Sequence, residues 1–210
     1  SAGIDSPVAA WLMMRRGTEL FLLHMSGGRH AGAATRDDAF HHAETLSTHC
    51  MGTQIPTIEV DMEPFFSALL TLKETRFRCI LCKRFMHRVA SRIGEEYQCS
   101  AIVNGDNLGQ VASQTLENLA TVTPSATLPV LRPLITYDKE EIVNLAKKIK
   151  TFIARPGDHS CRMVPKKPAT AATISQIEEE EAKLPMDDLI QKAVESAVKR
   201  TALSGSIIDG

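Results

Sequence analysis

The succession of short apolar runs and helical stretches constrains the fold of this chain more than any other feature. Apolar runs that are typical of strands occur at 19–25, 55–61, 101–104 and 128–134. Helical periodicity occurs between and after them, at 38–49, 73–98, 109–121 and 138–150. Because strands that alternate with helices pack in layers, we expect an α/β fold with a mostly parallel sheet.

The pattern changes after Pro168. Two further helical stretches, 169–183 and 186–202, lie on either side of Pro185. We therefore expect one domain over residues 1–170 and a C-terminal helical extension over residues 171–210. A chain of 210 residues with 43% hydrophobic content is long enough for one sizeable core with such an appendage.

Composition narrows the environment in which the protein works. No apolar run approaches the ~20 residues of a membrane span and no signal peptide is visible, so we predict no membrane association. The five cysteines are an odd number, which favours a reducing compartment and a metal or redox role. We therefore predict a cytoplasmic location. The net charge of −1 does not by itself indicate nucleic-acid binding.

The first residues, SAGIDSPVAAWLMM, predict an anion site. Small residues from Ser1 to Ser6 let backbone amides approach a ligand closely, and Pro7 suits the first turn of a helix. The amides at the start of that helix carry partial positive charge, which favours a phosphate. The GxxxxGK[ST] pattern is absent here, and an ordinary glycine turn that caps a core helix remains the alternative.

The segment RCILCKR at 78–84 places two cysteines, Cys79 and Cys82, at the start of a helix beside cations. Neighbouring positive charge and a helix N-terminus lower the pKa of a thiol, and the thiolate is the form that binds metal. The pair fits two half-buried thiols, half of a zinc site, or part of an iron–sulfur ligand set. Cys161 stands alone in the loop GDHSCRMVPKK, where a single cysteine is usually incidental.

The segment NGDNLGQVASQ at 104–114 follows a strand and leads into a helix. Gly105 lets the backbone approach a ligand, and Gln114 is placed to contact a base or ribose. A plain strand-to-helix turn is the alternative. Other polar residues carry less: we expect structural roles for Cys50 and Cys99, and surface roles for the three histidines His41, His42 and His49.

Together these segments resemble a known family. The opening is similar to the SGGxDSPVA motif of the PP-loop ATP pyrophosphatases, with Ala2 in place of the first glycine. GDNLGQVASQTLENL at 105–119, RPLITYDKEEIVNLAKKI at 132–149 and the Cys161 loop ending in KKPAT resemble the tRNA 4-thiouridine synthetases. These sulfurtransferases are also tied to thiamine thiazole formation. The resemblance implies a three-layer PP-loop fold.

The resemblance implies ATP-dependent exchange of oxygen for sulfur in a uridine of tRNA. Uridine O4 would attack the α-phosphate of ATP, and a sulfur nucleophile would then displace AMP. The implied pyrophosphate-binding residues are Ser1, Gly3, Asp5 and Ser6, with Asp5 acting through Mg²⁺. The other implied nucleotide-binding residues are His24 and Met25 beside adenine, and Arg84, Gly105 and Gln114 elsewhere in the site. Asp5 and Cys161 are the implied catalytic residues.

Members of this family differ in how they deliver sulfur. Some use a C-terminal rhodanese-like domain together with the cysteine matched by Cys161, and nothing after residue 170 resembles that domain. Others combine the CxxC with the later cysteine to bind an iron–sulfur cluster. The resemblance therefore implies that Cys79, Cys82 and Cys161 hold a [4Fe–4S] cluster with one iron open to sulfide. A zinc site or a persulfide relay from a persulfide donor is the alternative.

In the family a hydrophobic strand precedes the opening turn, after a ferredoxin-like region and a THUMP tRNA-binding region. We therefore expect this chain to be the catalytic part of a longer protein whose first strand is missing here. An unusually short homologue is the alternative, and a homodimer is left open. Two groups of cations are candidate tRNA contacts: Lys83, Arg84, Arg88 and Arg92, and Arg155, Arg162, Lys166 and Lys167.

Two rival functions come from other classes. Another PP-loop enzyme, such as an amidating ligase or a 7-deazaguanine-forming synthase, would share the opening motif but not the 105–119 segment. A non-catalytic RNA- or metal-binding module would release no pyrophosphate from ATP.

Overall fold

The computed structural model describes residues 3–50, 52, 54–154 and 161–209. The helices are α1 Asp5–Met14, α2 Thr35–Ser47, α3 Glu63–Leu69, α4 Arg78–Glu96, α5 Leu116–Val122, α6 Lys139–Lys148, α7 Ile174–Glu181 and α8 Met186–Glu195. The strands are β1 Leu22–Ser26, β2 Ile55–Asp61, β3 Ile102–Val103, β4 Val130–Leu131, β5 Val198–Leu203 and β6 Ser206–Asp209. Across these residues no helix has both the length and the apolar character that crossing a bilayer requires.

The described strands form two sheets. β1 and β2 are parallel, with Leu22 opposite Thr57 and His24 opposite Glu59. β5 continues this sheet antiparallel to β2, β6 follows it, and β3 and β4 form a separate parallel pair. The predicted α/β fold is confirmed, and its sheet is mixed because the C-terminal strands run antiparallel.

Strand β2 explains why helices cover both faces of the main sheet. Its side chains alternate, so that Ile55 packs with Leu46 of α2, whereas Ile58 packs in the core that contains α3 and α4. At the centre of that larger core the rings of Phe65 and Phe85 stack with centroids 3.9 Å apart. The helices thereby hold the carboxyl ends of β1 and β2 in fixed positions.

The predicted helix at 186–202 is wrong over its last part. α8 ends at Glu195, and the residues after it form the hairpin of β5 and β6. Ser204 and Gly205 turn the chain with φ values of 50° and 89°, as a tight hairpin requires. β5 pairs with β2, so part of the segment predicted to be a helical extension completes the main sheet.

The predicted helix at 109–121 is also too long. A short 3₁₀-helix occupies Ala112–Gln114, and α5 begins only at Leu116. Thr115 separates them because its backbone is extended and its hydroxyl caps α5 by accepting from the amide of Asn118. This interruption turns Gln114 away from a regular helical position and buries it.

Candidate active site

The first turn of α1 lies where the sequence predicts a pyrophosphate site. α1 begins at Asp5, and no side chain caps its start, which leaves the helix N-terminus suited to an anion. Ser6 lies in this turn and Gly3 immediately precedes the N-cap residue Ile4, whereas the predicted ligand Ser1 lies outside the described residues. The Asp5 carboxylate accepts a hydrogen bond from Lys139 Nζ at 3.0 Å, which brings the start of α6 to the same place.

Gly105 packs directly against this turn. A Cβ atom added to Gly105 would lie 2.8 Å from the carbonyl carbon of Asp5 and 2.8 Å from the amide nitrogen of Ser6. Real Cβ atoms essentially never approach backbone atoms so closely, so only glycine fits without displacing the turn. The two segments that the sequence singled out are therefore in contact.

Asp106 collects three polar partners beside Gly105. Lys83 Nζ lies 2.5 Å from its Oδ1, Gln114 Nε2 donates to the same oxygen at 3.3 Å, and Arg132 Nε donates to Oδ2 at 3.3 Å. Burial alone would raise the pKa of Asp106, but attraction to Lys83 and the hydrogen bonds outweigh it and lower that pKa. Asp106 thus stays ionised and holds two cations at the mouth of the site.

Arg84 does not take the position that its predicted role requires. Its side chain is only 3% exposed and pairs with Glu181 of α7, through Nε to Oε1 at 2.8 Å and Nη2 to Oε2 at 3.0 Å. Its Nη1 donates to the carbonyl of Thr121 at 2.7 Å. Because each nitrogen already donates to a protein acceptor, the structure gives Arg84 a role in joining helices. Lys83, about 100° away around the helix, faces Asp106 instead.

His24 and Met25 lie near the end of β1. The His24 ring is buried, and neither ring nitrogen has a hydrogen-bond partner among the described residues. Burial lowers the pKa of His24 to about 4, so the ring is neutral at pH 7 and offers one donor and one acceptor. A buried polar group without partners is the kind of group that a ligand completes.

The segment that follows β1 reaches the loop of Cys161. Ala31 forms an isolated antiparallel bridge with Cys161, and the amide of Arg162 donates to the carbonyl of His30 at 3.0 Å. Cys161 itself is exposed. The segment that follows β1, the strand of the predicted adenine-binding residues, is therefore hydrogen-bonded to the loop that contains Cys161.

Cys79 and Cys82 lie in the first turns of α4, as the sequence predicts, but their thiols are not activated. Burial raises the pKa of both, and the charge of Cys161 adds to the increase. The predicted lowering of the thiol pKa is therefore wrong in this structure, because burial outweighs the attraction of Lys83 and because Arg84 is neutralised by Glu181.

Because Cys161 contributes to the raised pKa of both Cys79 and Cys82, the three thiols lie within electrostatic range of one another. In the part of the chain that the structure describes, however, no three Cys, His, Asp or Glu side chains converge on a metal-sized site. His159, the sequence neighbour considered as a zinc ligand, lies outside the described residues. We refer to Cys79, Cys82 and Cys161 as the cysteine region.

Four residues were not assigned to the nucleotide site from the sequence: Lys83, which was expected to contact tRNA, and Asp106, Arg132 and Lys139. Each lies within or one residue from a segment that the sequence singled out, so a signal for Asp106, Arg132 and Lys139 was present. For Lys83, the side of α4 that faces the site could not be known in advance.

His42, expected at the surface, is buried, whereas His49 contacts the carbonyl of Ile149 at 3.2 Å. Cys50 and Cys99 are half-buried free thiols.

Comparison with known proteins shows which proteins this chain resembles. Residues 1–186 match the sequence profile of the family described as "Thiamine biosynthesis protein (ThiI)". A Thermus thermophilus protein named "Probable tRNA sulfurtransferase" is 42% identical over 200 residues, 92% of this chain and 48% of that protein. A Methanosarcina mazei protein of the same name is 35% identical over 198 residues, 94% of this chain and 49% of that protein. The chain thus spans about half the length of the curated relatives it matches.

Two solved structures share the fold. A 4-thiouridine synthetase in complex with RNA and bound ATP superimposes with a TM-score of 0.90 and 31% identity, over 100% of this chain and 54% of that one. The U34-tRNA thiolase NcsA of Methanococcus maripaludis, solved with its [4Fe-4S] cluster, gives a TM-score of 0.55 at 18% identity. That alignment covers 93% of this chain and 67% of the thiolase, and it shows a common fold alone.

Proposed function

The chain belongs to the ThiI family, and from this premise we propose that it is the ATP-dependent catalytic region of a tRNA sulfurtransferase. Its product would be 4-thiouridine, and sulfur transfer toward the thiazole of thiamine is a second role in this proposal. The contact of Gly105 with Asp5 and Ser6 carries the proposal most, because it brings a helix N-terminus and the cations around Asp106 to one place.

ATP is the nucleotide in this proposal. Its pyrophosphate lies at the first turn of α1, where Asp5 and Ser6 offer backbone amides and Ser6 a hydroxyl, with the predicted ligand Gly3 just ahead of the turn. The carboxylate of Asp5 is a suitable ligand for Mg²⁺, since hard cations prefer oxygen donors and a carboxylate has two oxygens. Mg²⁺ supplies charge neutralisation of the phosphates when it is bound.

The adenine ring lies beside His24 and Met25. A neutral His24 presents one donor and one acceptor, which matches the mixed donor and acceptor edges of a purine. Gln114 contacts the ribose or base, and its amide is oriented by the hydrogen bond to Asp106.

The first step joins uridine O4 to the α-phosphorus of ATP. The bond from the α-phosphorus to the bridging oxygen breaks, and pyrophosphate leaves. Lys83, Arg132 and Lys139 supply positive charge near the phosphates as charge moves onto the leaving group. In the second step sulfur attacks C4 of the uridine, the C4–O4 bond breaks, and AMP leaves with the original oxygen.

The cysteine region is proposed to bind a [4Fe–4S] cluster. The chemistry of its donors fits such a group, since thiols are the soft ligands that iron–sulfur clusters and zinc require, although the described thiols do not converge on a metal-sized site. When bound, a cluster with one open iron supplies a place for exogenous sulfide. Because burial raises the pKa of the half-buried thiols of Cys79 and Cys82, both are protonated at neutral pH, and loading would release protons from both.

Transfer RNA is the proposed substrate, and its phosphates are expected to contact the loop after Cys161. Lys166 and Lys167 are exposed there. The alternative surface on α4 is less suitable, because Lys83 and Arg84 pair with Asp106 and Glu181, and Arg88 also donates to Glu181 at 2.8 Å. A tRNA substrate and free thiols both fit a reducing, cytoplasmic location.

The test is a product assay on the 210-residue chain with unmodified tRNA, ATP, Mg²⁺ and sulfide under anaerobic conditions. We expect pyrophosphate release that depends on tRNA, and absorbance of 4-thiouridine in the recovered tRNA. ATP binding without any thiolated product, but with an amidated or 7-deazaguanine product, would assign the protein to another PP-loop reaction. A chain that binds no ATP would refute the proposal altogether.

A further inference from the structure

The buried ring of His24 is held by a group of side chains on one face of the main sheet. Glu59 lies directly opposite His24 in the parallel ladder, so both side chains leave the sheet on the same side. The ring of Phe40, from α2, approaches His24 with centroids 6.3 Å apart. Since nothing described donates to or accepts from the His24 ring, packing alone fixes its orientation.

Two arginines hold Phe40 in that position. The guanidinium carbons of Arg36 and Arg200 lie over its ring, 4.9 Å and 5.1 Å from the centroid. Glu59 binds both arginines: Arg36 donates to its two oxygens at 2.7 Å and 2.9 Å, and Arg200 Nη1 donates to Oε2 at 3.1 Å. One carboxylate thus fixes two cations against one aromatic ring.

Arg200 reaches this group from the C-terminal hairpin. It lies in β5 opposite Thr57 of β2, one diagonal position from Glu59 on the same face of the sheet. Its Nε also donates to Asp209 of β6 at 3.2 Å. The hairpin, which has no part in the predicted site, therefore touches the residues that pack on His24.

We propose that Arg200 is a positioning residue for the adenine side of the nucleotide site, acting through Phe40 on His24. This inference rests on the proposed function, since it requires that His24 contacts the nucleotide. The guanidiniums of Arg36 and Arg200 fix the ring of Phe40, and the ring fixes the buried imidazole. The hairpin of β5 and β6 then contributes to nucleotide affinity without touching ATP.

The test compares Arg200→Gln with Lys199→Gln, which removes the same charge one residue earlier on the same strand. Lys199 lies on the opposite face, with its Nζ 5.1 Å from the ring centroid of Tyr97. We expect Arg200→Gln to weaken ATP binding by about fivefold in titration calorimetry, because an aromatic-to-cation contact is lost. Inorganic pyrophosphate, which needs only the α1 turn, should bind both variants as tightly as the unmodified chain.

A double-mutant cycle separates this role from a general loss of stability. In a Phe40→Leu background, Arg200→Gln should change ATP affinity by less than about twofold, since its effect passes through the Phe40 ring. Arg200→Lys, which keeps the charge, should recover part of the affinity. Equal ATP affinity in Arg200→Gln and Lys199→Gln, or an equal loss for ATP and pyrophosphate, would overturn the inference while leaving the proposed function intact. An unmodified chain that does not bind ATP would overturn both.

Discussion

The nucleotide edge and the cysteine region are held by different kinds of contact. At the nucleotide edge, formed by the first turn of α1 with Gly105 and Asp106, backbone lies against backbone, and the Asp106 carboxylate has three polar partners. Any movement there would break several contacts at once. Sites supported in this way by regular elements keep their geometry before a ligand arrives.

The cysteine region has a sparser frame. Two of its thiols belong to a regular helix, but Cys161 lies in a loop that an isolated bridge to Ala31 joins to the rest of the site. In the proposed reaction, adenylation would therefore use a preformed site. Sulfur transfer would use thiols that a bound cofactor brings together.

Removal of the Asp5 carboxylate should have the largest effect on activity, and this effect should arise at the nucleotide edge and not in the cysteine region. In Asp5→Ala the α1 turn loses both its proposed Mg²⁺ ligand and the partner of Lys139, so we expect pyrophosphate release to drop by about 10³-fold. Glu140→Gln, at a neighbouring exposed carboxylate, is the control. Pyrophosphate release that continues at the normal rate in Asp5→Ala would break the assignment of the nucleotide edge.

Changes in the cysteine region should abolish sulfur transfer but leave pyrophosphate release intact. After anaerobic reconstitution, Cys79→Ala, Cys82→Ala and Cys161→Ala should each lose visible absorbance and sulfur transfer, whereas tRNA-dependent pyrophosphate release continues. Cys99→Ala is the matched control and should keep both the colour and the activity. A colourless protein with stoichiometric zinc and full thiolation would contradict the cluster, and a Cys79→Ala variant that still transfers sulfur would do the same.

Substitutions of the adjacent cations Lys83 and Arg84 on α4 test which of the two belongs to the nucleotide edge. Arg84→Met leaves Glu181 buried without its main partner, so we expect a loss of about 3–5 kcal/mol in the free energy of unfolding. Its folded fraction should bind ATP normally. Lys83→Met should instead weaken ATP binding with a smaller loss of stability, since Asp106 keeps Arg132. Urea denaturation and calorimetric titration measure the two effects, and a reversed result would restore Arg84 as the nucleotide-binding residue.

Acid should lower the free energy of unfolding through His24, which lies in β1 outside the nucleotide edge. Its pKa is lowered from 6.5 to about 4 in the folded chain, so between those values the unfolded chain binds more protons. Stability is therefore full above about pH 6.5 and declines as pH falls, by about 2 kcal/mol at pH 5 from this group. His87, lowered to about 4 for the same reason, adds a similar decline.

The variant His24→Phe separates the two histidines. It should lose its His24 contribution and therefore show about half of the acid-induced decline in the free energy of unfolding, measured by urea denaturation at pH 7 and pH 5. An unchanged decline would mean that the His24 ring is accessible to protons in the folded chain.

The sequence predicted those elements whose local pattern agrees with their surroundings. β2 has the bounds expected from its sequence, and Gly105, which the sequence singled out for close backbone approach, packs against the α1 turn. Arg84 could not be separated from Lys83, because only the distant Glu181 shows which of the two enters the core.

The C-terminal hairpin was missed for a related reason. Residues 196–202 continue the composition of α8, so helical periodicity extends past the true end of the helix. The turn at Ser204 and Gly205 was the available signal. This turn alone did not predict a hairpin, since β5 needs β2 as its partner strand and β2 lies far away in the sequence.

That pairing has a consequence for how the chain is made. During synthesis β2 emerges well before β5, and the edge that later receives β5 stays open while residues 62–197 are added. An open strand edge invites pairing with other nascent chains, and long-range pairing of this kind slows folding. The ribosome must therefore release Val198–Leu203 before the sheet can close, and a product truncated ahead of that strand should aggregate.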